Sequence, residues 1–348
     1  MKLIMMKKII LISFIFLSFN VCAQKEVNFD LDDFPKTRSL KGEKITFDLP
    51  LMNPWKMELA DSLLFFLGSG TEDAIDVYNL NTREKVTQFC RRGRGPGEMI
   101  FPFLVQYIQN SDDVVVHDLN GKKVIVYSLK KILGRNPNNY SKVVKVDSLY
   151  PRKLVKISDD RFFATLIGHP DAYMNCLLDA DGNVVKMLNK FPDPGMENNN
   201  TLASNLYQTN ICVSPDLSKV ILSYAAWKWI EIFNDHGECI TKFSGPDFKE
   251  PNFVRQGKNG LVLTTNNSLS YWDAEPNNRS FMIPYSGEKV KISGSNFYKY
   301  ALHLAYDGEL ICKYTFDPVV LDIQIDWEKR IIYGLNLELE PEVYKYHF

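Results

Sequence analysis

Three arginines and a glutamate cluster in a glycine-rich segment whose residue types could bind an anion. Arg91, Arg92 and Arg94 come just before Gly95-Pro96-Gly97, and Glu98 follows. Guanidinium groups together with glycine-rich backbone amides can hold a carboxylate, sulfate or phosphate. The structural alternative, which we favour, is that the glycines form a tight turn and Glu98 pairs with an arginine to hold it. Three arginines within four positions are nevertheless more than a turn requires.

Aromatic residues form a second candidate binding group. Trp227 and Trp229 flank Lys228, and strand alternation places both indoles on one side, where they could act as a platform for a sugar or a peptide. Tyr173 and Tyr207 are candidates of the same kind, and His169, which lies close to Tyr173 in sequence, is a further candidate for ligand binding. The alternative, again favoured, is that these rings pack between neighbouring sheets.

The remaining chemistry-bearing residues form no catalytic motif. A zinc site needs about three ligands that converge on one metal, but the histidines fall at five different places in the repeat described below, so we predict no zinc site. They are His117, His169, His236, His303 and His347. The sequence has no G-x-S-x-G motif and no plausible Cys-His nucleophile pair. We therefore predict no catalytic residues, and Asp-Asp pairs such as Asp159-Asp160 are interpreted as turn residues.

The N-terminus has the pattern of an export signal. Lysines precede an apolar run from Ile9 to Phe19, and Val21-Cys22-Ala23 has the small-residue spacing of a cleavage site. The run is shorter than the roughly 20 residues of a membrane span. Val21 before Cys22 disfavours lipid anchoring. We predict a signal peptide over residues 1–23, a periplasmic or extracellular location, and no transmembrane segment.

Composition excludes some functions and fixes little else. The 41 basic and 42 acidic residues give no electrostatic footprint for nucleic acid. Five cysteines would remain after cleavage, an odd number at irregular spacing, which favours buried free thiols over a disulfide framework. Cys212 and Cys239 are expected on the inner and outer strands of one sheet, too far apart to bond.

The arginine segment belongs to a repeat that predicts the fold. Strands that alternate apolar and polar residues recur, and three of them lead into a hairpin tip with Asp-Gly or His-Gly; the copies begin at residues 75, 124, 176, 230, 302 and 343. The spacing is typical of four-stranded blades, with an insertion in the fifth. This predicts an all-β, six-bladed β-propeller with antiparallel blades over residues 43–348. The sixth copy ends before its outer strand, which we expect to come from Lys44–Leu49; closure by an N-terminal strand removes an exposed sheet edge. Residues 24–42 are expected to form a polar tether.

The sequence resembles the TolB-like six-bladed propellers of exported bacterial proteins, close in pattern to NHL repeats. The residues that carry this resemblance are Gly95-Pro96-Gly97-Glu98, Pro102, Asp118, Asn120 and Val124 to Tyr127. It implies the propeller fold and export, but no settled activity and no functional residues.

Propellers usually bind ligands in the central channel or on the face that carries the connections between blades. The repeat register assigns seven segments to this loop-rich face, namely 68–73, 91–101, 168–173, 191–208, 225–229, 244–252 and 265–298. We predict an exported, non-enzymatic propeller that binds a glycan, peptide or protein partner on this face, without a cofactor. The alternative is a metal-dependent hydrolase or lyase with its site at the channel mouth. Calcium bound there by Asp and Asn side chains remains an open alternative.

Overall fold

The structure of the protein is a computed structural model that describes residues 24–68, 72–191, 200–256, 260–263, 267–268, 270–288 and 297–348. The predicted signal peptide over residues 1–23 lies outside the described residues. So do parts of three segments that we assigned to the loop-rich face, namely residues 69–71, 192–199, 265–266, 269 and 289–296.

The N-terminal segment supplies three strands to the outer edges of the last three blades. They are β1 (Lys25–Asn28), β2 (Thr37–Lys41) and β3 (Glu43–Ile45). A 3-10 turn over Leu31–Asp33 separates β1 from β2.

The first three blades are four-stranded antiparallel sheets. Blade 1 contains β4 to β7, which span Pro54–Ala60, Leu63–Gly68, Asp73–Asn79 and Lys85–Arg91. Blade 2 contains β8 to β11, which span Pro102–Ile108, Asp113–Asp118, Lys123–Ser128 and Tyr140–Lys145. A 3-10 turn over Gln109–Ser111 and the short helix α1 (Leu129–Ile132) lie in its connections. Blade 3 contains β12 to β15, which span Pro151–Lys156, Arg161–Leu166, Asn175–Asp179 and Val184–Met187.

The last three blades follow after helix α2 (Asn200–Leu206). Blade 4 contains β16 to β19, which span Thr209–Val213, Lys219–Tyr224, Trp229–Asn234 and Cys239–Ser244. A separate hairpin of β20 (Phe253–Gln256) and β21 (Gly260–Leu263) comes before blade 5. Blade 5 contains β22 to β25, which span Glu275–Pro276, Ser280–Tyr285, Tyr298–Ala305 and Leu310–Val320. Blade 6 contains β26 to β28, which span Asp322–Asp326, Ile331–Asn336 and Glu342–His347, and is completed by β3.

The six blades form a closed ring. The first strands β4, β8, β12, β16, β22 and β26 contact one another in succession, and β26 returns to β4, so that together they surround a central channel. Apolar side chains that alternate along the strands fill the spaces between blades, and each of the six interfaces has its own buried cluster. The six-bladed, antiparallel, all-β fold is therefore confirmed.

The closure by an N-terminal strand is also confirmed. β3 pairs antiparallel with β28, with Ile45 opposite Val343. The strand is shorter than expected and begins one residue earlier, because only Glu43–Ile45 pair within the sheet.

The expectation of a polar tether over residues 24–42 is wrong. β1 pairs in parallel with β19, and β2 pairs in parallel with β25, so blades 4 and 5 each gain a fifth strand. The physical reason is burial, since Phe29, Phe34 and Leu40 are each less than one-tenth exposed. These strands also cover edges that would otherwise be free to pair with other chains.

The interpretation of residues 265–298 as one long loop is likewise wrong. This segment contains β22 and β23, which are the first two strands of blade 5. The chain insertion lies instead between blades 4 and 5, where β20 and β21 form their own hairpin. β22 has only two residues, so its alternation is too short to be visible in the sequence.

Local turn chemistry agrees with the sequence. Gly182, Gly237 and Gly308 occupy the three predicted hairpin tips and all have positive φ, between 74° and 97°. At Gly182 a Cβ atom would lie 2.2 Å from the Lys145 carbonyl oxygen, so the tip excludes any larger residue. All five described cysteines are free thiols, as expected, with Cys212 on β16 and Cys239 on β19.

Candidate functional site

The arginine segment of the loop-rich face separates into three different environments. Arg92 donates a hydrogen bond to the Gly68 carbonyl at 2.5 Å, which ties it to its own blade. Arg91 pairs with Glu72 at 2.8 Å, and both side chains are at least half exposed. Arg94 is exposed. Anion binding by these arginines therefore stays a prediction. The Arg92 guanidinium already has a structural partner, the Gly68 carbonyl.

Carboxylates in this segment hold the backbone of the inter-blade turn. Glu98 accepts a hydrogen bond from the Gly95 amide at 2.8 Å, so it stabilises the turn through the backbone rather than through an arginine. Asp118 accepts from the amides of Ile100, Phe101 and Gly121 at 2.8–2.9 Å. The repeat motif is thus a set of carboxylate caps, which is a structural role.

The predicted aromatic platform is a stack of rings that cover one another. The stacked pairs have centroids 4.7–5.9 Å apart and follow the order Phe191, Tyr207, Trp227, Trp229 and Phe248. Lys242 Nζ also lies 3.8 Å from the Trp229 ring centroid. Trp227 and Trp229 do lie on one side, as expected. Because their faces contact other rings, packing describes their observed state, and ligand stacking stays a prediction.

His169 and Tyr173 form a smaller group on the same face. Their rings meet edge-on with centroids 5.3 Å apart, and His169 Nδ1 accepts a hydrogen bond from the Asp171 amide. Lys190 Nζ lies 4.7 Å from the Tyr173 ring centroid. His169 also borders a cavity of about 470 Å³ between blades 2 and 3, together with Lys122 and Tyr150.

The channel contains a polar belt that sequence reasoning missed. The first strand of each blade turns an unpaired edge toward the channel, so its backbone amides need acceptors. In four cases a side chain of one blade accepts from an amide of the next blade, at 2.6–2.9 Å: Asp322 from Met57, Gln324 from Leu59, Glu58 from Tyr107, and Gln106 from Lys156. This belt explains why polar side chains can be buried at the centre of the ring.

A charged network crosses the channel beside this belt. Lys56 Nζ lies 2.5 Å from Asp273 Oδ2, and Lys153 Nζ lies 3.5 Å from Asp273 Oδ1. Lys153 also donates to Asn210 at 2.7 Å. Lys56, Lys153 and Asp273 belong to the inner edges of blades 1, 3 and 5, which are not neighbours. Their contacts must therefore be made inside the channel.

The pKa shifts of this network show which contact is the main ion pair. Burial alone would lower the pKa of Lys56, but Asp273 and Asp322 more than offset it, and the pKa is raised. For Lys153 burial prevails and the pKa is lowered, although Asp273 opposes this. The pKa of Asp273 is lowered because both lysines outweigh its burial. The shorter distance agrees that Lys56–Asp273 is the primary pair.

A cavity of about 680 Å³ opens at the channel end opposite the loop-rich face. We call it the cup. Its rim consists of turns between the first and second strands of five blades, and Glu58 and Glu275 line its wall. A narrower extension of about 80 Å³ leads from these glutamates to Lys56 and Asp273. The volume of the cup is that of a small-molecule pocket. The cup does not lie on the loop-rich face, where the sequence predicted ligand binding.

The lining of the cup is rich in carboxyl groups. Among the described residues that line the cup, one side chain is cationic, that of Lys329, which pairs with Asp326 at 2.7 Å. The carboxylates of the lining are five in number: Glu58, Asp61, Glu275, Asp326 and Glu328. Burial raises the pKa of Glu58 to about 7. Burial, with Glu58 and Asp322 close by, raises the pKa of Glu275 well above its ordinary range.

Replacing Glu58 by glutamine is expected to stabilise the protein at pH 8 by about 1–3 kcal/mol, and much less at pH 5. The folded pKa of Glu58 is raised from 4.5 to about 7, so its ionisation costs stability as the pH rises through this window. Glutamine removes the charge and keeps an oxygen that can accept from the Tyr107 amide. Denaturant unfolding at both pH values measures the effect.

Glu340→Gln is the matched control, because Glu340 is exposed. It should change stability little at either pH. An equal effect of Glu58→Gln at pH 5 and pH 8 would contradict the buried-carboxyl interpretation.

Two weak signals for the cup exist in the sequence. Glu58 and Gln106 each stand four residues after a proline that begins an inner strand, Pro54 and Pro102, within otherwise apolar segments. Buried polar residues need partners, so this position could have been marked as facing the channel. In the part of the chain that the structure describes, no three His, Cys, Asp or Glu side chains come together as a metal-binding group.

Comparisons with known proteins agree with the fold. Two solved structures from Bacteroides are similar to this chain, each with 11% sequence identity and an alignment that covers 98% of the solved chain. One is a DUF4221-family member from Bacteroides vulgatus, with a TM-score of 0.57 over 89% of this chain. The other is a Bacteroides fragilis protein named for its inferred export, with a TM-score of 0.58 over 92% of this chain. At this identity the likeness shows the fold alone. No curated protein matches the sequence.

The family model described as TolB-like 6-blade propeller-like matches residues 30–328. It covers every strand of blades 1, 2, 3 and 5, the strands β16 to β19 of blade 4, and the strands β3 and β26 of blade 6. Together with the closed six-bladed ring, this match confirms the resemblance seen in the sequence. The chain belongs to the TolB-like six-bladed propeller family.

Proposed function

We propose that the protein is an exported, non-enzymatic binding propeller that takes up its ligand in the cup. The observation that carries this proposal is the cup itself, a cavity of about 680 Å³ with polar walls supplied by several blades. Binding sites are typically concave, largely preformed and lined by a few convergent polar groups. A ring of packed blades supplies a rigid wall of this kind.

Two observations support export. The N-terminal sequence has the pattern of a cleaved signal, and one structural neighbour is named for its inferred export. Among the described residues, no helix has both the length and the hydrophobicity to cross a membrane. Periplasm and cell exterior are both compatible with this proposal.

A thermal-shift screen of glycans, peptides, metabolites and metal ions tests the function. A ligand that binds the folded state raises the melting temperature by mass action. We expect at least one organic compound to do so, and we expect the effect to disappear in Ser62→Trp, which places a large ring at the cup rim. Ser62 lines the cup and lies in the turn after β4.

Two results would contradict the proposal. Hits that survive Ser62→Trp and vanish in the double variant Arg92→Ala, Arg94→Ala would move binding to the loop-rich face. Hits confined to calcium or zinc would favour the hydrolase or lyase alternative at the channel mouth.

A further inference from the structure

The polar groups deep in the cup are unequal in what they can still offer a ligand. The side-chain amide of Gln106 accepts a hydrogen bond from the backbone N–H of Lys156 and donates one to the backbone carbonyl of Lys156, both at 2.9 Å. The Gln324 amide accepts from Leu59 and donates to Glu275, both at 2.7 Å. Both glutamines are therefore engaged at their nitrogen and their oxygen. Their interactions leave the carboxylates as the principal groups for a ligand.

Among the described residues, the carboxyl groups of Glu58, Asp61 and Glu275 are acceptors without a cation in direct contact. One oxygen of Glu58 accepts a hydrogen bond from the Tyr107 backbone amide, and one oxygen of Glu275 accepts one from the Gln324 side chain. Each of these two carboxyl groups has a second oxygen. Within the described residues, no lysine, arginine or histidine nitrogen lies within 4.0 Å of Glu58, Asp61 or Glu275. A ligand that donates hydrogen bonds and carries positive charge would satisfy them, and its charge would favour the ionised forms of Glu58 and Glu275.

The spacing of the carboxylates selects the kind of cation. A metal ion would need several of them on one centre, and among the described residues no such group of three exists. Glu58 and Asp61 lie three residues apart on one strand and its turn, roughly 10 Å along the strand axis. Glu275 stands on blade 5, across the cup from blade 1. Separate positive groups on a flexible chain would reach these positions better than one point charge.

From the cavity, the hydrogen-bonded side-chain amides of Gln106 and Gln324, and the spacing of the carboxylates, we propose that the cup binds a flexible organic cation with two or more ammonium groups. This inference rests on the proposed binding function and names its ligand class. Free oligoamines and lysine side chains of a peptide present the same chemistry. The ammonium groups would contact Glu58 and Glu275 inside the cup and Asp61 toward the rim.

Three probes of one chain length test the charge requirement by titration calorimetry at pH 8. They are 1,8-diaminooctane, 1,8-octanediol and suberate, which end in ammonium, hydroxyl and carboxylate groups. We expect the diamine to bind at least about tenfold more tightly than the other two. Glu58→Gln and Glu275→Gln should each weaken diamine binding by about tenfold, the loss of one charge-assisted contact. Glu340→Gln, at an exposed site, should leave it unchanged. Parallel titrations with spermidine and trilysine distinguish the free amine from the peptide source.

Each alternative result is decisive. Equal binding of the diol or suberate, or full diamine affinity in both glutamine variants, would overturn the cationic class while leaving a binding cup in place. Displacement of the diamine by stoichiometric calcium would show a metal site instead. Failure of these probes and of every compound in the thermal-shift screen would overturn the binding function as well. Melting temperatures of the variants at pH 8, at or above that of the unmodified protein, verify that each is folded.

Discussion

Replacing Asp273 by alanine is expected to destabilise the propeller by about 3–5 kcal/mol, the cost of leaving buried charges without their partner. Asp273 is 4% exposed and contacts both Lys56 and Lys153, which are 7% and 8% exposed. Without it, two ammonium groups would face each other inside the channel. Denaturant unfolding at neutral pH measures the loss.

Asp181→Ala provides the matched control for this effect. Asp181 also pairs with a lysine, Lys142, at 3.6 Å, but its side chain is 80% exposed. Surface pairs of this kind contribute about 0–1 kcal/mol. Equal stability losses in the two variants would contradict the view that the channel network is desolvated and holds three blades together.

Removal of residues 24–45 is expected to prevent formation of a stable, soluble ring. The deletion takes away β1, β2 and β3 and exposes the outer edges of blades 4, 5 and 6. It also removes the buried rings of Phe29 and Phe34, each of which would cost about 3–5 kcal/mol when replaced by alanine. Together these losses approach the total stability of about 5–15 kcal/mol that is typical of a folded domain.

Soluble yield and size-exclusion chromatography of the mature chain and of the truncation measure this outcome. Removal of residues 24–33 alone is the comparison, because it deletes β1 but keeps β2 and the closing strand β3. That shorter truncation should stay soluble, with the elution volume of the longer chain and reduced stability. A fully stable protein without residues 24–45 would contradict this prediction, because it would show that β1, β2 and β3 are not needed for a closed ring.

The features that could be predicted from the sequence are those with local signals. Period-two alternation and the glycines at the hairpin tips depend on neighbouring residues, and Gly182, Gly237 and Gly308 all have the predicted positive φ. The repeat period then gives the number of blades. Closure by β3 was also predictable, because the sixth copy visibly lacks its outer strand.

The parts that were missed depend on distant partners. β1 and β2 pair in parallel with strands about two hundred or more residues away, and β1 has only four residues, so no local pattern reveals them. Glu58 is meaningful only beside Tyr107 of the next blade and Glu275 across the cup. The position of Trp227 and Trp229 on one side could be predicted from strand alternation, but the sequence cannot show that the rings cover one another.

The most direct test of the binding account is a crystal structure of the protein with the tightest ligand from the thermal-shift screen. The expected result is ligand density in the cup, between Glu58 and Glu275, with the Lys56–Asp273 pair intact behind the ligand. Density on the loop-rich face, over Arg91–Arg94 or against the stack that contains Trp227 and Trp229, would contradict it.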